Sequence, residues 1–90
     1  MKRRLLTGKE LRAAALAGLP VRYVEKYENP QDRHMNFNEV CTLEPAKSGF
    51  YIGNSDIQPA DFADDQAVEG EFPEGHFAVY AAPKIKYATL

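Results

Sequence analysis

The sequence predicts an α+β domain: one N-terminal helix packed on a strongly bent, mostly antiparallel sheet, or a small half-open barrel, of four to five strands. Three observations carry this. A single helix is punctuated at both ends. The remainder breaks into short runs rich in β-branched and aromatic residues, separated by turn residues. No connection is long enough to hold the second crossover helix that parallel strands require.

The helix is expected over residues 8–17. Thr7 and Glu10 stand at the spacing of a capping box, and Leu6 and Leu11 at that of a hydrophobic staple. Ala13, Ala14, Ala15, Leu16 and Ala17 are strong helix formers, Gly18 suits a left-handed cap, and Pro20 forbids continuation. Ten residues do not stay helical alone in water, so the Leu11/Ala14/Ala15 face must pack on something.

Strands are expected at 21–28, with Val21, Tyr23 and Tyr27 on one face, and at 37–44, with Phe37, Cys41 and Leu43 in phase. Glu39 interrupts that second face, which suits an edge strand or a bulge. Residues 29–36 read as a turn and polar loop. Residues 45–49 read as a hairpin loop returning through Phe50-Tyr51-Ile52. Residues 57–65 read as a loop with one helical turn, 68–72 as a weak strand, and 77–81 as a strand in which Phe77, Val79 and Ala81 alternate. Residues 1–90 therefore form a single domain, with 84–90 a further edge strand or a tail.

A composition of 44% hydrophobic and 27% charged residues fits a globular protein. The single cysteine, Cys41, excludes an internal disulfide and a Cys-rich zinc site, and suits a reducing cytoplasm. Lys9, Glu10 and Arg12 interrupt any apolar stretch after Met1-Lys2-Arg3-Arg4, so neither a signal peptide nor a membrane span is expected.

Catalytic chemistry finds little footing. Cys41 is in phase with core residues and is expected to be a buried, inert thiol. His34 and His76 lie beside turns, and two histidines without a third ligand make no metal site. Asp61, Asp64 and Asp65 sit in an expected exposed loop, where carboxylates keep ordinary acidity. No enzyme activity, cofactor or metal is expected.

Charge is the distinctive feature. Net charge is −2, yet residues 1–35 hold eight Lys/Arg against four Asp/Glu, and residues 36–90 hold three against nine. Residues 48–83 contain seven acids and no Lys or Arg, interleaved with Ile57, Phe62, Val68 and Phe72. Such a segment either solubilises or steers a basic partner. The basic half, from Lys2, Arg3 and Arg4 to Lys26, could instead follow a phosphate backbone.

The opening, Leu6-Thr7-Gly8-Lys9-Glu10-Leu11 through Ala17-Gly18 and then Pro20-Val21-Arg22-Tyr23, resembles the start of many small bacteriophage accessory proteins. Those begin with a short helix, a glycine and a basic strand, and the likeness spans the first quarter of the chain. The resemblance implies a viral or mobile-element origin and an early, anti-defence role in the host cytoplasm. Some phage defence inhibitors with a similar opening sequester a nucleotide signal. No functional residue is carried over.

The function expected is a non-enzymatic binding protein that inhibits or modulates a host or defence protein with a basic surface. Its contacts would be Asp56, Asp61, Phe62, Asp64, Asp65, Glu69 and Glu71. The alternative is a small nucleic-acid or nucleotide-signal binder using Lys9, Arg12, Arg22, Tyr23, Lys26 and Tyr27. A virion structural or assembly component is a third reading. No membrane partner is expected, and the chain would be a monomer or a homodimer paired through an edge strand.

Overall fold

The computed structural model describes residues 3–52 and 55–87. One helix, α1 (Gly8–Ala17), is followed by seven strands: β1 (Val21–Tyr27), β2 (Phe37–Cys41), β3 (Glu44–Ala46), β4 (Gly49–Ile52), β5 (Ser55–Ile57), β6 (Glu69–Phe72) and β7 (Gly75–Ala81). Two 3₁₀ turns, Pro30–Met35 and Pro59–Asp61, interrupt the series. The class is α+β, as the sequence predicts. The strands, however, divide into two open antiparallel sheets, of order β2-β1-β7-β6 and β3-β4-β5, rather than one bent sheet or a half-open barrel.

The division comes from residues 42–43. The expected strand over 37–44 stops at Cys41, and Leu43 turns inward to 5% exposure, so Glu44 starts a new sheet. Pro45, which has no N–H to give, is tolerated because β3 is an edge strand. β2 is also an edge, which is how Glu39 can share a face with Phe37 and Cys41 and still be exposed. Residues 55–57, of which the last is expected to open the 57–65 loop, form β5 against β4. The expected helical turn beyond them is the 3₁₀ turn at Pro59–Asp61. Residues 82–87 form a turn and coil rather than an edge strand, and residues 88–90 of that expected segment lie outside the described residues.

α1 forms as its caps dictate. The Thr7 hydroxyl accepts the Glu10 N–H at 3.3 Å, while the Glu10 carboxylate accepts the Thr7 N–H at 3.1 Å. At the other end Gly18 takes the left-handed conformation, φ 65°, and the Leu19 N–H reaches back to the Ala14 carbonyl. The buried face is Leu11, Ala13 and Ala14, with Ala15 only partly covered.

A segment that sequence periodicity does not mark holds the helix to the sheet. Leu6 donates to the Val79 carbonyl and accepts from Val68 N–H, both at 2.9 Å, so residues 4–8 run between β7 and residues 66–68. Leu6 joins Leu11, Ala14, Val21, Tyr23, Leu43, Ile52, Ile57, Val68 and Val79 in one core between the layers. The first residue of α1 is glycine because of close approach: a Cβ at Gly8 would lie 2.3 Å from the Ala63 carbonyl oxygen.

Removing the cap by Thr7→Ala is expected to cost about 1 kcal/mol in denaturant unfolding. Combined with Glu10→Ala, the loss should be less than additive, because the two substitutions break one reciprocal pair. Gly8→Ala should cost more than Thr7→Ala, since the methyl group meets backbone that cannot move aside. Additive cap losses, or a neutral Gly8→Ala, would contradict this account of the helix start.

Candidate functional site

Strand parity sorts the side chains of the four-stranded sheet onto two faces. Val21, Tyr23, Glu25 and Tyr27 of β1 face inward with Phe77 and Val79 of β7, while Arg22, Val24 and Lys26 face outward beside Tyr80, Ala78 and His76. The outward face is open. Val24 and Ala78 are nonetheless buried on it, and Glu69 and Glu71 of β6 border it.

At the Val21 end of this face four cations converge. Arg22 lies opposite Tyr80 in register. Leu5 bridges to Tyr80, and the Ala81 N–H donates to the Arg4 carbonyl at 2.8 Å, which brings Arg3 and Arg4 beside the end of β7. The chain then turns at Pro83 and Lys84, with Lys84 at φ 63°. Tyr87 holds that turn down: its hydroxyl donates to the Pro20 carbonyl at 2.7 Å and accepts the Ala82 N–H at 2.9 Å. Arg3, Arg4, Arg22 and Lys84 line one cleft of about 360 Å³ around residues 81–83.

Their partners differ. Arg4 pairs with Glu10 at 2.8 Å. Among the described residues Arg22 donates only to the neutral Asn38 side chain, at 2.9 Å, and Arg3 lies 5.8 Å from the centre of the Tyr80 ring. Among the described residues, Arg3, Arg22 and Lys84 form no ion pair with a carboxylate. The cleft is thus a local excess of positive charge on a protein of net negative charge.

The expected nucleic-acid set does not assemble. Of Lys9, Arg12, Arg22, Tyr23, Lys26 and Tyr27, only Arg22 lines this cleft. Arg12 holds the 59–64 loop, donating to the Phe62 carbonyl at 2.6 Å and the Pro59 carbonyl at 3.2 Å and pairing with Asp64. Tyr23 is fully buried and offers no stacking surface. Tyr27 is half-buried with its hydroxyl on Glu25, Lys9 is half-buried on α1, and Lys26 is exposed toward the other end of the sheet. Lys2 lies outside the described residues. The members missed by sequence reasoning are Lys84, which is 62 positions from Arg22 and reaches it through the β1–β7 ladder, and the specific placement of Arg3 and Arg4, which the pairing of residue 5 with residue 80 sets.

The acidic set is spread over separate elements. Asp56 is exposed on β5, Asp61, Asp64 and Asp65 lie in the 3₁₀ turn and the loop after it, and Glu69 and Glu71 are on β6. Phe62 is half-buried against the core, so it anchors the loop. Cys41 is half-buried rather than buried, and burial, with Glu39 and Glu44 nearby, pushes its thiol above the usual range. His34 and His76 are exposed. Among the described residues, no three His, Cys, Asp or Glu side chains are grouped to hold a metal, and no helix is long and apolar enough to cross a membrane.

The inward face holds one charged residue that sequence reasoning passed over. Glu25 is only 6% exposed. Its Oε2 accepts from the Tyr23 hydroxyl at 2.5 Å and the Ser55 hydroxyl at 2.7 Å, and its Oε1 accepts from the Tyr27 hydroxyl. Burial opposes ionisation, but the three hydroxyl donors outweigh it and hold the carboxyl below its usual range. The same contacts act in reverse on the phenols: hydrogen bonding to the carboxylate raises Tyr27 to about 12, and burial first, then Glu25, raises Tyr23. The signal was present in the sequence, since Glu25 is in phase with Tyr23 and Tyr27.

Comparisons with protein families, with curated proteins and with solved structures gave no significant match.

A folded pKa below the unfolded one means that Glu25 contributes stability above the unfolded value, about 4.3, which is lost as pH falls through the folded value. Glu25→Gln should therefore flatten the loss of stability on acidification, read as urea midpoint against pH. An unchanged slope would show that the carboxylate is not held in its charged form. For Cys41, the native alkylation rate should still be rising above about pH 8.5, the ordinary thiol value. A rate already level at neutral pH would mark a reactive thiolate instead.

Proposed function

We propose that this chain is a binding protein for a phosphate-bearing ligand, held at the cleft between Arg3, Arg22 and Lys84. The observation that carries the reading is their convergence at one end of an open sheet without carboxylate partners among the described residues. Guanidinium groups match phosphate oxygens with paired N–H donors, and Lys84 adds a point charge. Arg4, already neutralised by Glu10, fixes the edge of the cleft more than it adds charge. A volume of about 360 Å³ is at the small end of ligand clefts and suits a nucleotide or the terminal phosphates of a strand.

The acidic-surface reading, a basic protein docked on residues 56–71, is supported by the exposure of its carboxylates. It is the weaker of the two because Asp64 is already paired and Phe62 faces the core. The resemblance of residues 6–23 to phage accessory proteins accords with the phosphate reading, since some of those sequester a nucleotide signal.

Inorganic phosphate, AMP, ATP and a twelve-residue oligothymidine should be titrated by calorimetry at two salt concentrations. Binding is expected to strengthen with phosphate number and to weaken as salt rises, because released counterions drive it. Arg22→Gln with Lys84→Gln should weaken it about tenfold or more, as two charge-assisted contacts are lost. Lys9→Gln, on the helix, should leave it unchanged. Equal binding by the double variant would refute the site. Tighter binding of ATP than of the oligonucleotide would identify a nucleotide as the ligand, and the reverse order a strand.

A further inference from the structure

The opposite end of β1 holds a pocket of the other sign. Glu25, Tyr27, His34, Met35, Phe37 and Ser55 line a cavity of about 450 Å³ between β1, the 3₁₀ turn Pro30–Met35 and the start of β5. Its floor is a carboxylate that is 94% buried and forms no ion pair among the described residues. Three hydroxyls satisfy it without neutralising it.

We infer that this pocket binds a primary alkylammonium group. A carboxylate has about four acceptor positions, two on each oxygen. Among the described residues, Oε2 uses both, on Tyr23 and Ser55, whereas Oε1 uses one, on Tyr27. One acceptor position therefore remains for an N–H donor. The walls suit the rest of such a ligand. Phe37 lies directly across from Glu25 in register, and Tyr27 lines the same cavity, so two aromatic residues stand beside the place a cation would occupy. Met35, half exposed at the mouth, offers an adaptable apolar surface for methylene groups.

The electrostatics agree. Glu74 and Asp32 lie close enough to add to the negative field at Tyr27. Of the 3₁₀ turn, Arg33 is exposed and does not line the cavity; His34 does line it, is also exposed, and has its Nδ1 engaged with the Gln31 carbonyl at 3.0 Å. An anion is repelled from this pocket, and a neutral apolar ligand would leave the Oε1 position without a donor. Aliphatic ammonium groups come from two sources, the lysine side chain of a partner protein and a free polyamine, and both present the same terminus to Glu25.

The test is a chemical-shift titration of the labelled protein with n-butylammonium, using n-butanol as the uncharged control. Saturable shifts are expected at residues 25–27, 34–37 and Ser55 with the amine and not with the alcohol. Glu25→Gln keeps the shape and removes the charge, and should weaken amine binding at least tenfold. Because that variant could unfold, Ser55→Ala serves beside it: it keeps the charge, frees a second acceptor position and should retain binding. Putrescine and a lysine tripeptide, against its norleucine counterpart, then distinguish the sources by which binds more tightly. Equal shifts with butanol, shifts mapping elsewhere, or a folded Glu25→Gln that binds as well as the parent would overturn the inference. Phosphate binding at the other end of β1 should be unaffected by Glu25→Gln, so the two sites succeed or fail separately.

Discussion

The insertion of Leu6 between Val68 and Val79 is the contact on which the remaining structure depends. Its two backbone bonds extend the four-stranded sheet by a short stretch of chain that is not itself a strand. The leucine side chain, fully buried, brings Leu11 and the start of the helix onto the core. A ten-residue helix is too short to form without such a hold. The same register fixes the residues just before it. With Leu5 opposite Tyr80 and Arg4 bonded to Ala81, Arg3 and Arg4 must lie at the end of β7 near Arg22. The helix and the basic cleft are therefore two consequences of one docking event.

How far the sequence reveals this differs by element. The helix is legible because all its determinants are local: the Thr7/Glu10 pair, the alanines, Gly18 and Pro20 lie within fourteen residues. β1 and β7 are legible because alternation survives along their length. The split of residues 37–46 into two sheets is not, since Leu43 and Glu44 keep the same alternation while the chain changes partners. The change of partner, β2 on β1 and β3 on β4, is a tertiary feature that alternation does not encode. The basic cleft was half visible as an N-terminal run of cations, but Lys84 and Arg22 meet only through the β1–β7 ladder and the Tyr87 staple.

Glu25 is instructive for a different reason. A charged residue in a strand is ordinarily assigned to the solvent face, and its neighbours Tyr23 and Tyr27 to the core. Parity forbids that division, because residues two apart share a face. The structure resolves the conflict by turning the phenol hydroxyls toward the carboxylate, with Ser55 arriving from the second sheet. Burying a lone charge is unfavourable unless its lone pairs are occupied, and here neutral donors occupy most of them. Since Ser55 belongs to β5, the network also ties the two sheets together at a point where the core cluster does not.

Satisfying Glu25 with hydroxyls instead of a cation leaves its charge undiminished, and so leaves β1 with opposite charges three residues apart. Arg22 and Glu25 are separated by about 10 Å along the strand at the usual rise per residue. That exceeds the Debye length of about 8 Å at physiological ionic strength, so through solvent they would attract only weakly. Pleating separates them further, since Arg22 is on the open face and Glu25 on the inward one. A single seven-residue strand can thus carry a cationic cleft at one end and an anionic pocket at the other without either neutralising the other. The lopsided charge of the sequence, basic early and acidic late, does not map onto these two sites. Glu25 belongs to the basic half and Lys84 to the acidic half; the antiparallel pairing of β1 with β7 carries Lys84 to Arg22, while the 3₁₀ turn, β2 and β5 close the pocket around Glu25.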